Sequence, residues 1–135
     1  MEESKKIEIL DRLNKASKNT LGETLDIIYT DVSDDFLTAT MPVTPRVHQP
    51  YGIMHGGASC VLAETLGSCL SLINLDISKS VPVGTNINSN HLRAIREGIV
   101  TGTATFIRKG NTMHVSQIEI RDEKGNLSPC RKARR

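Results

Sequence analysis

Apolar residues recur at helical spacing in two segments of very different polarity. In residues 4–18 they form one face among charged residues, which predicts a short amphipathic helix. These apolar positions are Ile9, Leu10, Leu13 and Ala16. Residues 56–75 instead carry a single charge, Glu64, in a stretch of apolar, small and uncharged polar residues. We expect a long helix here, from about residue 55 to residue 75.

The second segment has about the length that crosses a bilayer. Three glycines, three serines, a threonine and an asparagine interrupt its apolar character. A glutamate near the middle would also be costly in lipid. We therefore predict that this helix is buried inside a globular protein and that the chain has no membrane partner.

Five segments have the alternation and composition of β-strands, and turn-forming residues separate most of them. These segments are residues 24–30, 36–41, 83–92, 99–108 and 112–122. A loop with three prolines and a glycine, residues 42–54, precedes the long helix and is a candidate functional segment. The order of elements predicts an α+β fold in which an antiparallel sheet packs on one long helix.

The C-terminal residues, 127–135, depart from the strand pattern. Pro129 cannot donate to a ladder of strand hydrogen bonds, and residues 131–135 carry four charges in five positions. Three alternatives remain open: a frayed end, an edge strand, or a terminus that is not native.

Composition narrows the classes of function. A chain of 135 residues is the size of one domain, so residues 1–135 are expected to share one core. A net charge of +2 and 3% aromatic residues argue against a nucleic-acid partner. Three cysteines without metal-ligand spacing indicate reduced thiols, and the four histidines form no metal-binding motif. The charged N-terminus lacks the apolar stretch of a signal peptide, so we expect a cytoplasmic protein.

Glu64 is the first candidate for chemistry, because burying a carboxylate is costly unless it has partners or a task. The plainer interpretation is a core glutamate bonded to a neighbouring side chain. His55, Gly56 and Gly57 come at the helix entrance, where free N–H groups and the positive end of the dipole can hold an anion. The plainer interpretation of the glycines is tight packing against the sheet.

The spacing of these groups makes a sharper prediction. Gly56 and Glu64 are eight positions apart, about 12 Å along a helix at 1.5 Å per residue. One carbonyl group cannot contact both in a single helix. If both act on one substrate, the glutamate must come from a second, antiparallel copy, which predicts a two-fold dimer.

Other polar residues have both a functional and a structural interpretation. Ser68 follows Glu64 by one helical turn, and its hydroxyl could equally cap a carbonyl in its own helix. In the third predicted strand, asparagines occupy one face and His91 the other, where it could be a satisfied core or edge histidine. Basic residues follow that strand. They could bind a phosphate group or simply form a solvated surface. They are Arg93, Arg96, Arg108 and Lys109.

Several motifs together resemble a known family. They are ATMPV, QPYGIMHGGAS, LAETLGS, NINSNHLRAIREG and QIEIRDEKGNL, within residues 25–127. This pattern resembles the hotdog-fold acyl-CoA thioesterases, in the glutamate-using branch of 4-hydroxybenzoyl-CoA thioesterase. Within that branch it is most similar to the 1,4-dihydroxy-2-naphthoyl-CoA thioesterases of menaquinone synthesis and to the enterobactin proofreading thioesterase.

The resemblance implies a curved antiparallel sheet wrapped around one helix, in a homodimer that pairs again as a dimer of dimers. It implies Glu64 as nucleophile or general base, and the N–H of Gly56 from the opposite subunit as the group that polarises the thioester carbonyl. Gln49 and His55 would position the thioester or the attacking water. Ser68 and His91 would line the acyl end of the pocket or help to orient water, and Arg93, Arg96 and Arg108 would meet the CoA phosphates. No metal or cofactor is implied, because CoA is part of the substrate.

These observations predict a thioesterase that hydrolyses an aryl- or acyl-CoA to free acid and CoA. A non-catalytic module that binds acyl-CoA or an acyl carrier is the first alternative. A hotdog dehydratase is the second, although such enzymes pair a histidine with an acid in a different motif. The family's final strand is apolar and rich in Ser and Thr, and the C-terminal residues of this chain depart from it.

Overall fold

The computed structural model describes the backbone of residues 1–134 and the side chains of residues 1–127. Its helices are α1 (Glu3–Ala16), α2 (Leu21–Thr24) and α3 (Gly56–Leu72), with a 3-10 turn at Pro45–Val47. Its strands are β1 (Ile28–Val32), β2 (Phe36–Pro42), β3 (Gly84–Ser89), β4 (Ile99–Lys109), β5 (His114–Arg121) and β6 (Leu127–Arg134). This order confirms the α+β prediction.

The strands form one six-stranded sheet in the order β1-β2-β4-β5-β6-β3, and every neighbouring pair is antiparallel. One face of the sheet packs on α3, which confirms that the long helix is buried inside the protein. Leu62, Leu66 and Leu70 of α3 are fully buried against strand residues such as Ile118 and Ile120. Gly102 of β4 allows this close approach, because a Cβ there would lie 2.7 Å from Leu66 Cδ1.

Several predicted boundaries need correction. The strand predicted over residues 83–92 spans only Gly84–Ser89, so His91 lies outside it. Residues 24–30 are only partly a strand, because α2 ends at Thr24 and β1 begins at Ile28. Asp26 between them has φ 56°, a left-handed conformation that ends the helical turn and is uncommon outside glycine, asparagine and aspartate.

The C-terminal residues form a strand, which excludes the frayed end for residues 127–134, and residues 130–134 lie between two strands, which excludes the edge strand there. Strand β6 pairs with β5 on one side and β3 on the other. Pro129 pairs with Glu119 of β5 but precedes Cys130, where the pairing with β3 begins. At that point only one neighbouring strand is present, which makes a proline tolerable.

The helix α3 is shorter than predicted and ends at Leu72. Asn74 terminates it, since its side-chain amide donates to the carbonyl of Leu70 at 3.0 Å and to that of Asp34 at 3.0 Å. Among the described residues, none of the helices combines the length and the apolar character that crossing a bilayer requires.

A buried histidine lies where β5 meets the C-terminal half of α3. His114 is 7% exposed, and its Nδ1 lies 3.0 Å from the hydroxyl of Ser71, which is also buried. The ring of Phe106 packs edge-on against it, with the ring centroids 5.2 Å apart. Burial, and secondarily the positive charge of Lys109, lower the pKa of His114 below its ordinary value.

This lowered pKa predicts a loss of stability in mild acid. Below about pH 6.5, the ordinary histidine value, the unfolded chain binds a proton that folded His114 resists, so the free energy of unfolding falls as pH drops. Above that pH His114 is unprotonated in both states, so its lowered pKa no longer reduces the free energy of unfolding. Urea unfolding between pH 5 and pH 8 measures the effect, and a His114→Gln variant should show a shallower fall. An identical fall in both proteins would show that other groups cause it.

Candidate active site

The loop before α3 folds into a tight turn that holds Gln49. Its ends are joined by a bridge between His48 and Met54. The N–H of Gln49 donates to Ile53 O at 2.8 Å, and the N–H of Gly52 donates to Gln49 O at 3.0 Å. Gly52 has φ 76°, a conformation that glycine adopts without strain. Because the Gln49 side-chain oxygen also accepts from the Tyr51 N–H, the half-buried amide is held in a defined orientation.

A second segment, residues 90–98, packs against this turn and forms hydrogen bonds with it. The N–H of Met54 donates to Ile95 O at 2.6 Å. The His48 ring lies against the same segment, with Nε2 2.8 Å from Arg96 O, so a ring N–H donates to that carbonyl. The sequence pattern indicates no role for His48. Its structural role depends on a residue 48 positions away, which no local motif could indicate.

The entrance of α3 is built by His55. Its Nδ1 accepts from the N–H of Gly57 at 2.7 Å, so His55 is the N-cap of the helix. In the neutral ring the proton is then on Nε2, which remains a donor. The N–H of Gly56 is the first of the helix and, by its position, has no carbonyl partner in the preceding turn. It lies at the positive end of the helix dipole, as predicted.

His91 packs directly over this entrance. Its Nδ1 lies 3.3 Å from Ser59 Oγ, and its Nε2 lies 3.2 Å from Ser89 Oγ. A Cβ on Gly56 would lie 3.0 Å from His91 Nε2, so the ring takes the place that a side chain would need. The structure therefore brings His91 to His55 and Gly56, although they are distant in sequence.

Ser59 completes this group and was missed in the sequence. Its hydroxyl donates to Gly56 O at 2.8 Å, and it therefore accepts from the ring N–H at His91 Nδ1. A serine three residues after the helix start is a weak signal, because such a hydroxyl often caps a carbonyl of its own helix.

Glu64 lies in the middle of α3, half-buried, on the helix face turned away from the sheet. Ser68 follows on the same face, and its hydroxyl donates to Glu64 O at 2.7 Å, which is the plainer of its two interpretations. Gly56 and Glu64 belong to one continuous helix. Their separation of about 12 Å therefore holds, and one chain does not bring the two groups together.

The three arginines predicted to bind phosphate lie in two separate places. Arg93 and Arg96 are exposed on the segment that clasps the Gln49 turn. Arg93 lies towards Asp122, whose pKa is lowered mainly by the backbone N–H of Asn126 and to a smaller extent by this arginine. Arg108 is exposed near the opposite end of α3, where its neighbour Lys109 donates to Asn74 Oδ1 at 3.1 Å. Within one chain, the basic residues that were predicted to bind phosphate therefore do not form a single cluster.

The cysteines and metal-ligating residues add little to the site. Neither Cys60 nor Cys69 forms a disulfide, which agrees with the prediction of reduced thiols, and Cys130 lies outside the described side chains. The Cys69 Sγ lies 3.2 Å from the hydroxyl of buried Tyr29, whose pKa is raised by burial and then by this thiol. Among residues with described side chains, no three His, Cys, Asp or Glu groups converge as a metal site.

Comparison with known proteins supplies independent information. Residues 51–129 match the family described as the thioesterase superfamily. A putative esterase of Vibrio cholerae is 54% identical over 87% of this chain and 78% of its own length. The 1,4-dihydroxy-2-naphthoyl-CoA hydrolase of Escherichia coli is 45% identical over 87% and 86% of the two chains. The proofreading thioesterase EntH of Cronobacter sakazakii is 45% identical over 86% and 84%.

Solved structures agree with these relatives. A mutant thioesterase of Pseudomonas aeruginosa superimposes with a TM-score of 0.90 at 44% identity, over 93% of this chain and 91% of that one. Two variants of a Staphylococcus aureus protein superimpose with TM-scores of 0.82 and 0.83 at 36% and 37% identity, over 84% of this chain and 95% of theirs. In one variant a glutamine is replaced by alanine, and in the other a glutamate fifteen positions later.

Proposed function

This chain belongs to the thioesterase superfamily, and we propose that it hydrolyses an aryl- or acyl-CoA thioester through Glu64 and Gly56 of two different subunits. The protein is a hotdog-fold thioester hydrolase. The observation that supports a site shared by two subunits is the helix α3 itself. It holds a free N-terminal N–H and a carboxylate that cannot reach one carbonyl group in the same chain.

The proposed reaction uses each group in one role. The Gly56 N–H, at the positive end of α3, binds the thioester oxygen as negative charge develops on it. The partner subunit's Glu64 either attacks the carbonyl carbon or takes a proton from the water that attacks it. If Glu64 attacks, the carbon–sulfur bond breaks to give an acyl–glutamate anhydride, which water then hydrolyses to the free acid. If water attacks, breakage of the carbon–sulfur bond gives the free acid directly. In both cases CoA leaves as a thiolate that takes up a proton.

Gln49 and His55 are placed to orient the reactants. Both precede Gly56 in the same chain, one in the tight turn and the other as the helix N-cap. His55 keeps an Nε2–H donor, and the Gln49 amide provides further hydrogen-bonding groups near the helix entrance. The spacing in the S. aureus variants supports these roles, because Gln49 and Glu64 of this chain are also fifteen positions apart.

A homodimer is supported by the edge of the sheet. Strand β3 pairs with β6 on one side only, and its residues are almost all exposed in the single chain. Exposed apolar residues Val81, Val83 and Ile87 lie on or beside it. An antiparallel partner along β3 would cover this edge and set the two copies of α3 antiparallel. We propose this dimer as the active unit, paired again as a dimer of dimers.

The antiparallel dimer would also bring the three candidate phosphate-binding arginines to one end of the helix pair. Arg93 and Arg96 lie by the N-terminal end of α3, and Arg108 lies by its C-terminal end. In an antiparallel pair of helices, the partner subunit's Arg108 comes to the end where Arg93 and Arg96 lie. Arginine suits phosphate groups, so we assign these residues to the CoA phosphates, with Ser68 and His91 nearer the acyl group.

Release of free CoA thiol from a panel of thioesters tests this function. The panel contains benzoyl, 4-hydroxybenzoyl, 1,4-dihydroxy-2-naphthoyl, phenylacetyl and straight-chain acyl groups. We expect turnover of several members, and a preference for the naphthoyl thioester would favour a role in menaquinone synthesis over proofreading. No release from any thioester by the folded dimer would contradict the proposal and return a non-catalytic binding module as the alternative.

A further inference from the structure

A chain of side-chain hydrogen bonds connects β3 to the entrance of α3 through the ring of His91. Ser89 Oγ lies 3.2 Å from His91 Nε2, and Ser59 Oγ lies 3.3 Å from His91 Nδ1. The Ser59 hydroxyl in turn reaches Gly56 O at 2.8 Å. Ser59 is only 2% exposed, so water has little access to compete for its hydroxyl group. The proposed reaction assigns no role to this buried serine.

The carbonyl group of Gly56 fixes the direction of these hydrogen bonds. A carbonyl oxygen only accepts, so the Ser59 hydroxyl donates its one hydrogen to it. Towards His91 the hydroxyl is therefore an acceptor, and the ring nitrogen Nδ1 carries a proton. In the neutral ring Nε2 then has no hydrogen and accepts from the Ser89 hydroxyl. Ser59 thus favours one of the two neutral tautomers of His91.

The two histidines at the entrance of α3 are held as opposite tautomers. His55 accepts from the Gly57 N–H through Nδ1, which leaves its Nε2–H as a donor. His91 donates to Ser59 through Nδ1, which leaves its Nε2 as an acceptor. The entrance therefore offers one ring donor and one ring acceptor, and these suit different parts of a hydrolytic reaction.

The acceptor lies beside the proposed oxyanion donor. A Cβ on Gly56 would lie 3.0 Å from His91 Nε2, so this nitrogen occupies the side of Gly56 where a side chain would be. A thioester oxygen bound to the Gly56 N–H would lie nearby. An unprotonated nitrogen repels a developing oxyanion but accepts a hydrogen bond from water. The tautomer therefore suits His91 to the attacking water and not to the thioester oxygen.

We propose that Ser59 is a positioning residue: it holds His91 as the Nδ1–H tautomer, so that Nε2 accepts a hydrogen bond from the attacking water. The inference rests on the proposed function and adds a residue to it. The water replaces the Ser89 hydroxyl at Nε2 and is oriented by this bond. His91 neither takes nor gives a proton, and Ser59 touches neither the substrate nor the water.

Removing the serine hydroxyl tests this assignment. Ser59→Ala does so with little change in volume. Ser71→Ala is a matched control, because Ser71 is also buried in α3 and its hydroxyl lies 3.0 Å from a histidine Nδ1, that of His114. The first readout is nitrogen NMR of the ring atoms in histidine-labelled protein at about pH 8.5, where a histidine of ordinary pKa is neutral. His91→Ala identifies the His91 signals by their loss.

The second readout is kcat and KM for a thioester that the parent hydrolyses. We expect the parent to carry the His91 proton on Nδ1 and Ser59→Ala to distribute it over both ring nitrogens. The kcat of Ser59→Ala should fall about fivefold to tenfold, the contribution of roughly one hydrogen bond, with KM within about twofold. Ser71→Ala should keep the His91 signals and, within about twofold, the parent rate. In a His91→Ala background, Ser59→Ala should cause no further loss, because it acts through the ring.

Other results would overturn the assignment. A His91 proton on Nε2 in the parent, or ring signals that Ser59→Ala leaves unchanged, shows that Ser59 does not set the tautomer. An altered tautomer with unchanged kcat shows that the tautomer has no part in hydrolysis. An equal loss of kcat with and without the His91 ring, or in Ser71→Ala, shows that the serine acts on the helix itself. If the parent hydrolyses no thioester, the proposed function and the role in hydrolysis both fail, whereas the ring signals still decide whether Ser59 sets the tautomer.

Discussion

Replacing Glu64 by glutamine is expected to lower kcat for thioester hydrolysis by about a hundredfold or more. The carboxamide has nearly the same shape as the carboxylate, but it can neither take a proton from water nor attack the carbonyl carbon. Because Glu64 is half-buried on the outer face of α3, the isosteric change should leave the fold intact. The binding constant for a substrate should change little, since Arg93, Arg96 and the helix entrance are untouched.

The measurement is single-turnover release of CoA thiol together with the affinity for a non-hydrolysable acyl-CoA analogue. Glu119→Gln is a matched control, because Glu119 is also half-buried but lies on the face of β5 away from α3, paired with Arg121. Its rate should stay within about twofold of the parent. If Glu64→Gln turns over as fast as the parent, Glu64 has no part in the chemistry.

The elements that the sequence predicted well are those with strong local patterns. The amphipathic face of residues 4–18 became α1, and the stretch around Glu64 became α3, which ends three residues earlier than expected. The errors fall where tertiary contacts override local pattern. Strand β6 has little apolar character of its own, but β5 and β3 provide pairing on both sides along residues 130–134.

The candidate site residues show the same difference between local patterns and contacts that are distant in sequence. His55, Gly56 and Glu64 are candidates from residue type and position, because a helix start and a lone charge are local features. The contacts of His91 with Ser59 and of His48 with Arg96 join residues 32 and 48 positions apart. No spacing rule relates such residues. The two-subunit geometry stays a prediction, which rests on helix rise alone.

Mixing two inactive variants is expected to restore activity if each site is shared between subunits. Gln49→Ala damages the helix-entrance side of the site, and Glu64→Gln damages the carboxylate side. In a two-fold dimer of one chain of each kind, one site carries both changes and the other carries neither. Co-expression in equal amounts should therefore leave about a quarter of all sites intact, far above the residual rate of either variant alone.

The comparison requires equal total protein, the same oligomeric mass and a thioester that the parent hydrolyses well. The double variant Gln49→Ala/Glu64→Gln, co-expressed with the parent, is the matched control. There the heterodimer has one defect in each site, so only parent homodimers should be fully active. If Gln49 and Glu64 act within one chain, mixing the single variants restores nothing, and every parent chain keeps its site beside the double variant. A shared site thus leaves about a quarter of the sites intact in both mixtures, whereas a site within one chain leaves none in the first and about half in the second.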